Sequence, residues 1–161
     1  RIQQQSLTLE DIDISELWEG LLQGYRITVD RKGLELDVTG AEVRWVADKH
    51  KLRTALDNLL SNAVAYTPDD GRIEVVWYTK GASLVIEVAN SGAGIPTEDA
   101  ERVFEPFVQS VSRRSGPIKG SGIGLSVARE SMEAQGGSLE LFDHPHLEVG
   151  FRLSCPRAAQ A

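Results

Sequence analysis

The sequence predicts an α+β domain in which a mixed, mainly antiparallel sheet carries helices on one face. Three observations lead there. Apolar residues recur at helical spacing in separate segments, most strongly from Leu52 to Val64. Between them, apolar and polar residues alternate as in half-buried strands. Most neighbouring strands lie close enough in sequence for hairpins, so a regular series of βαβ crossovers does not fit.

The elements follow in order. Residues 1–10 are polar and Gln-rich and read as a linker or the end of an upstream helix, before a domain at 11–155 and a tail at 156–161. Ser15 is a candidate N-cap for a first helix bearing Leu17, Leu21, Leu22 and Tyr25. Gly33 breaks the chain. Leu34, Leu36 and Val38 then alternate as a strand, with a second short strand at Val43–Val46. Asp48 opens the longest helix, whose apolar face is Leu52, Ala55, Leu56, Leu59, Leu60, Ala63 and Val64. The turn Pro68-Asp69-Asp70-Gly71 ends it. Ile73, Val75 and Trp77 alternate in one strand, and Leu84, Ile86 and Val88 in the next. Lys80-Gly81-Ala82-Ser83 joins the two as a hairpin. Thr97 reads as the N-cap of a short helix with Asp99 and Glu101 in its first turn. Residues 108–121 read as a mobile loop. A helix over 122–135 stops at Gly136-Gly137, and Leu139-Leu141 with Val149-Phe151-Leu153 closes the chain as a hairpin.

Length and charge bound the function. A chain of 161 residues and 17.6 kDa is one ordinary domain, long enough to fold without staples. One cysteine, Cys155, excludes an internal disulfide framework and suits a reducing compartment. No apolar run approaches the roughly 20 residues of a membrane span. The first residues show no signal-peptide pattern and no initiator Met, as in a piece of a longer protein. The net charge of −7 lacks the cationic field that drives binding to nucleic acid or anionic membranes. Against that balance, Val108 to Ser121 holds Arg113, Arg114 and Lys119 and no acid, which fits one small anionic ligand or a plain solvated loop.

Four motifs could carry chemistry. Asn58, Asn62 and Tyr66 stand four residues apart, on one side of the long helix and flanking its Leu face. Amide oxygens suit a hard cation such as Mg²⁺, which keeps several waters and few protein ligands. The alternative is a solvated helix surface. Asn90-Ser91-Gly92-Ala93-Gly94-Ile95 follows a strand, where glycines let backbone approach a ligand and Asn90 could meet a base edge. A plain strand-to-helix loop would also want those glycines. Lys119-Gly120-Ser121-Gly122-Ile123-Gly124-Leu125 opens a helix, where free N–H groups and the dipole favour phosphate. It is neither a Walker A loop nor a dinucleotide fingerprint. Phe104-Glu105-Pro106-Phe107 could anchor the mobile loop or sit in the core.

Taken in order, Asn58–Ala63, Asn90-x-Gly-x-Gly-Ile95, Phe104-x-Pro-Phe107 and Gly120-x-Gly-x-Gly-Leu125 resemble the N, G1, F and G2 boxes of the histidine-kinase catalytic and ATP-binding domain, in the group shared with DNA gyrase B, Hsp90 and MutL. The resemblance runs from about Ser15 to Leu153. The F box and the long segment before G2 favour sensor kinases that signal to response regulators. It implies a two-layer α/β sandwich with about three helices and a mobile ATP lid. It also implies the cofactors ATP and Mg²⁺, with phosphoryl transfer by positioning and charge neutralisation. By that resemblance Asn62 is the Mg²⁺ ligand and Asn58 assists at the phosphates. Tyr66 lines the base or ribose, and Asn90 faces the adenine amine. Gly92, Gly94 and Ile95 shape the base pocket. Phe104 and Phe107 position the lid. Lys119, Gly120, Ser121, Gly122, Ile123, Gly124 and Leu125 meet the phosphates.

Two positions depart from the family. Asp is usual where this chain has Asn90, so a charge-assisted bond to the adenine amine is lost, at a cost of about 1 kcal/mol. Lys is frequent where this chain has Ala65, and Lys119, Arg113 or Arg114 are expected to substitute. The phosphoacceptor is absent, since His50 precedes Lys51 and His144 and His146 flank Pro145 in a turn. Asp143, His144, His146 and Glu148 could be drawn as a metal site, but a turn explains them better. The expected partners are therefore an upstream dimerisation domain carrying the acceptor histidine and a response regulator. This domain itself is expected to be monomeric and cytoplasmic, at the inner end of a membrane-anchored sensor, with no nucleic-acid or membrane contact of its own. The rival expectation is a degenerate kinase domain that binds nucleotide weakly and acts through contacts. A stand-alone serine kinase of the anti-sigma type is a third, disfavoured by the entry region around Trp18.

Overall fold

The computed structural model describes residues 6–106 and 124–159. The chain runs β1 (Leu9–Asp13), α1 (Ile14–Gln23), α2 (Arg26–Lys32), β2 (Glu35–Gly40), β3 (Arg44–Asp48), α3 (Lys49–Tyr66), β4 (Arg72–Lys80) and β5 (Ser83–Asn90). Two 3₁₀ turns follow at Thr97–Asp99 and Arg102–Phe104, then α4 (Gly124–Glu133), β6 (Ser138–Leu141) and β7 (Val149–Pro156). Strands β2–β4–β5–β7–β6 form one sheet, in that order, and β1 pairs with β3 in a second. Among the described residues only the β2–β4 pair is parallel. The α+β architecture is as expected, and the pairing explains why. Both hairpins join strands that are adjacent in space, whereas β4 returns beside β2 only after α3.

Alternation sets the two faces of the sheet. Ile73, Val75 and Trp77 of β4, Leu84, Ile86 and Val88 of β5, and Val149, Phe151 and Leu153 of β7 enter the core beneath the helices. The intervening positions carry a polar network on the opposite face. There Tyr78 Oη and Arg152 Nε both donate to Glu87 Oε2, at 2.8 and 2.9 Å. The helix layer supplies Leu17, Trp18 and Leu21 from α1, the Leu52–Val64 stripe from α3, and Ala128 and Met132 from α4. Trp18 stacks on Trp77 with centroids 6.3 Å apart, joining the two layers. Cys155 is fully buried, and burial raises its thiol to about 11.

Several local expectations need correction. Asp13, not Ser15, caps α1, its carboxylate accepting from Glu16 N at 3.2 Å. The caps differ by two residues because β1 runs directly into the helix, and Asp13 is the last extended residue. Leu9 and Glu10, placed with the polar leader on composition, pair with Asp48 and Ala47. The sequence reading contained no α2. It buries only Val29, so it shows no apolar stripe. Thr97 makes no cap: its segment is a 3₁₀ turn entered from Pro96 without a side-chain cap bond. Asp48 caps α3 as expected, accepting from Lys51 N at 3.0 Å.

Candidate functional site

Two of the motifs converge on the side of α3 that flanks its buried stripe. Asn58, Asn62 and Tyr66 are half-buried there, while Leu59, Leu60 and Ala63 face the core. The first residue of α4 meets them: a Cβ on Gly124 would stand 3.3 Å from Asn58 Oδ1. Any larger residue would press on that amide. Leu125, next in α4, packs against the core and fixes the helix start beside α3.

The asparagines are the informative atoms. Asn62 Nδ2 is buried and has no hydrogen-bond partner among the described residues. Asn90, at the end of β5, is 1% exposed. Its Nδ2 donates to Ser91 O at 2.8 Å, which turns Oδ1 away from that carbonyl, buried and unpaired among the described residues. A buried polar group left unpaired costs about 1–3 kcal/mol. Each of these two atoms is therefore open to a ligand with a complementary atom. Asn90 Oδ1 is an acceptor and suits an amine donor. Asn62 Nδ2, one turn along α3 from Asn58, is a donor and suits an anionic oxygen.

The loop after β5 is shaped by close approach. Gly92 has φ +125°, and a Cβ there would lie 2.9 Å from Pro68 Cδ, at the exit of α3. Its N–H donates to Glu148 Oε1 at 3.1 Å. Gly94 is exposed, and Ile95 packs partly buried on the core. Phe104 is buried, edge-on to Phe151 at 5.9 Å, with the Arg129 guanidinium 4.2 Å above its ring. Phe104 is thus a core residue. Phe107, Lys119, Gly120, Ser121, Gly122 and Ile123 lie outside the described residues, as do Arg113 and Arg114.

Among the described residues, no group of three or more His, Cys, Asp or Glu side chains could hold a metal. His144 is a turn residue, as expected. Its Nδ1 accepts from His146 N and Leu147 N, and its Nε2 faces Glu74 Oε1 at 2.8 Å. The amide oxygens of Asn58 and Asn62 are hard donors, and their small number fits Mg²⁺ that takes its remaining ligands from phosphate and water. The sequence does not mark the roles of three residues that shape the site. Glu148 tethers Gly92, and Arg129 covers Phe104. Gln135 Oε1 accepts from Asp48 N at 2.8 Å, joining the end of α4 to the start of α3. Each acts across a long sequence separation, so no local spacing marks it.

The comparisons agree with this geometry. The model of the histidine kinase-, DNA gyrase B-, and HSP90-like ATPase family matches residues 47–158. The sensor histidine kinase GlrK of Escherichia coli K12 is 35% identical over 151 residues, covering 94% of this chain and 32% of GlrK. The chain thus spans about a third of that relative's length. Among solved structures, full-length ShkA in complex with AMPPNP superposes with a TM-score of 0.83 at 25% identity, over 99% of this chain and 33% of that one. Histidine kinase ThkA in complex with the response regulator TrrA shares the fold, with a TM-score of 0.79 at 22% identity, over 93% of this chain and 42% of that one. With the four motifs in order, the fold they sit on and the match across residues 47–158, the chain belongs to the histidine kinase-, DNA gyrase B-, and HSP90-like ATPases, as an ATP-binding catalytic domain of the histidine-kinase type.

Proposed function

We propose that the chain binds Mg·ATP between α3 and α4 and transfers the γ-phosphoryl group to a histidine on a dimerisation domain outside these residues, for relay to a response regulator. The unpaired pair of amide atoms, Asn90 Oδ1 and Asn62 Nδ2, carries the reading. Asn90 Oδ1 accepts from the adenine amine. Tyr66 lies beside the base or ribose. Asn58 and Asn62 hold the metal and phosphates, and backbone N–H groups from Gly120 to Leu125 meet phosphate oxygens at the start of α4. Bound Mg²⁺ would neutralise charge on the β- and γ-phosphates. The protein's own part is positioning: Gly124 against Asn58 sets how closely the start of α4 approaches α3.

The ShkA complex with AMPPNP and the ThkA complex with a response regulator support nucleotide and partner by likeness of fold. No described helix is long and apolar enough to cross a membrane. In this reading the residues before β1 lead in from the dimerisation helix, and the domain is a cytoplasmic monomer. The test supplies a dimerisation domain bearing the acceptor histidine, with radiolabelled ATP and Mg²⁺. The expected product is an acid-labile, base-stable phosphohistidine that fails to form in EDTA. Tight Mg·ATP binding with no transfer to that domain would contradict the phosphotransfer reading.

A further inference from the structure

Four motifs account for most of the site, yet the tether on its base-binding loop comes from none of them. We propose that Glu148, in the β6–β7 turn, is a positioning residue for the nucleotide base, an inference that rests on the nucleotide reading above. Its carboxylate holds the Gly92 N–H at 3.1 Å, and its own carbonyl would lie 3.7 Å from a Cβ on Gly94. On the opposite side Pro68 stands against Gly92. The loop is clamped between the exit of α3 and the start of β7.

The turn is built to hold Glu148 still. Val149 pairs with Asn90 across the β5–β7 ladder, so Glu148 is fixed one residue from the position opposite the base-reading asparagine. Behind it the chain winds around His144, whose side chain is 8% exposed. Nδ1 accepts two backbone N–H groups, from His146 at 3.0 Å and Leu147 at 3.1 Å. Nε2 therefore carries the proton and donates to Glu74 Oε1 on β4. Phe142 N donates to Gly150 O at 2.9 Å and closes the turn. Position 148 thus inherits the rigidity of β4, β5 and β7, and passes it to a glycine held at φ +125°. Glu148 itself is exposed, so its truncation opens no cavity. Its effect falls on the loop.

Glu148→Ala and Glu148→Gln separate positioning from bulk stability. In Glu148→Ala the nucleotide-free melting temperature stays at the parent value. The Gly92 amide proton exchanges about tenfold faster, and Kd rises about three- to tenfold, equally for ATP and ADP. Glu148→Gln, which keeps an acceptor oxygen, recovers most of both. An unchanged Gly92 exchange rate in Glu148→Ala overturns the tether. Faster exchange with unchanged ATP affinity overturns the positioning role, and does so without touching the nucleotide reading if Asn90→Ala still weakens ATP. Faster Gly92 exchange in Glu148→Ala together with a parent that binds no ATP at all would instead sink the nucleotide reading, and the base-positioning role with it, while leaving the tether in place.

Discussion

In the proposed nucleotide site Asn90, assigned to the base end, has a buried acceptor and Asn62, assigned to the phosphate end, a buried donor, each without a partner among the described residues. The residue type is the same, but the backing differs. Asn90 sits in a strand paired to Ile73 on one side and Val149 on the other, and its Nδ2 is already engaged by Ser91 O, so its orientation is set before any ligand arrives. Asn62 stands on a helix, and none of the described residues engages its Nδ2. The base end is thus preformed, while the phosphate end is left for the ligand to complete. Preorganisation of the first kind gives specificity for what is bound. The second kind makes affinity depend on the metal and phosphates that arrive with it.

Substitutions should separate the two ends. The largest effect is expected from Asn62→Ala, which removes the proposed metal ligand and the buried donor together. Mg·ATP affinity falls at least about tenfold, while adenosine affinity stays unchanged, as parallel calorimetric titrations would show. Equal losses for both ligands would erase the distinction between the ends. Next comes Gly124→Ala, whose Cβ would stand 3.3 Å from Asn58 Oδ1. Asn58 must shift by tenths of an ångström, so ATP binding weakens about threefold and adenosine binding not at all. A loss shared by adenosine would mean that α4 also shapes the base pocket.

The smallest effect on binding is expected one residue from Asn58, at Asp57. Tyr25 Oη donates to Asp57 Oδ1 at 2.7 Å, and burial together with Asp57 raises the phenol to about 12. A folded-state pKa above the unfolded value near 10 means the neutral phenol is favoured by folding. That contribution is complete below pH 10 and disappears as pH rises to about 12. Tyr25→Phe should leave nucleotide affinity unchanged and melt with a shallower pH dependence than the parent between pH 10 and 12. An identical pH dependence would mean that the Tyr25–Asp57 bond does not stabilise the fold.

What was legible in the sequence follows the range of the interactions involved. Helix α3 shows itself because one face is apolar over its whole length, and the Asn58–Asn62–Tyr66 stripe is visible because helical spacing lines it up beside that face. The β4–β5 and β6–β7 hairpins show themselves through alternation and short connections. Helix α2 does not, because its neighbours bury only Val29. Strand β1 hides for a similar reason: its pattern is mostly polar, and its order comes from pairing with β3 and from Asp48 Oδ2 accepting from Thr8 N. Asn90 was legible as a residue at a strand end, but the direction of its amide was not. That depends on Ser91 O and on a strand register that only the folded sheet defines. Glu148 was read merely as one of four candidate ligands in a turn. Its partner is a backbone N–H, which leaves no trace in side-chain chemistry.

The most direct test of the preformed base end compares ATP with the analogue that lacks only the exocyclic amine, purine riboside triphosphate. Both are titrated with Mg²⁺ into the parent, Asn90→Ala and Asn90→Asp, so that the amine–Asn90 coupling is isolated in a double-mutant cycle. The parent should prefer ATP about tenfold. That preference should vanish in Asn90→Ala and grow several-fold in Asn90→Asp, where the acceptor gains a charge. No preference for ATP in the parent, or the same preference in Asn90→Ala, would contradict the assignment of Asn90 Oδ1 as the atom that reads the base.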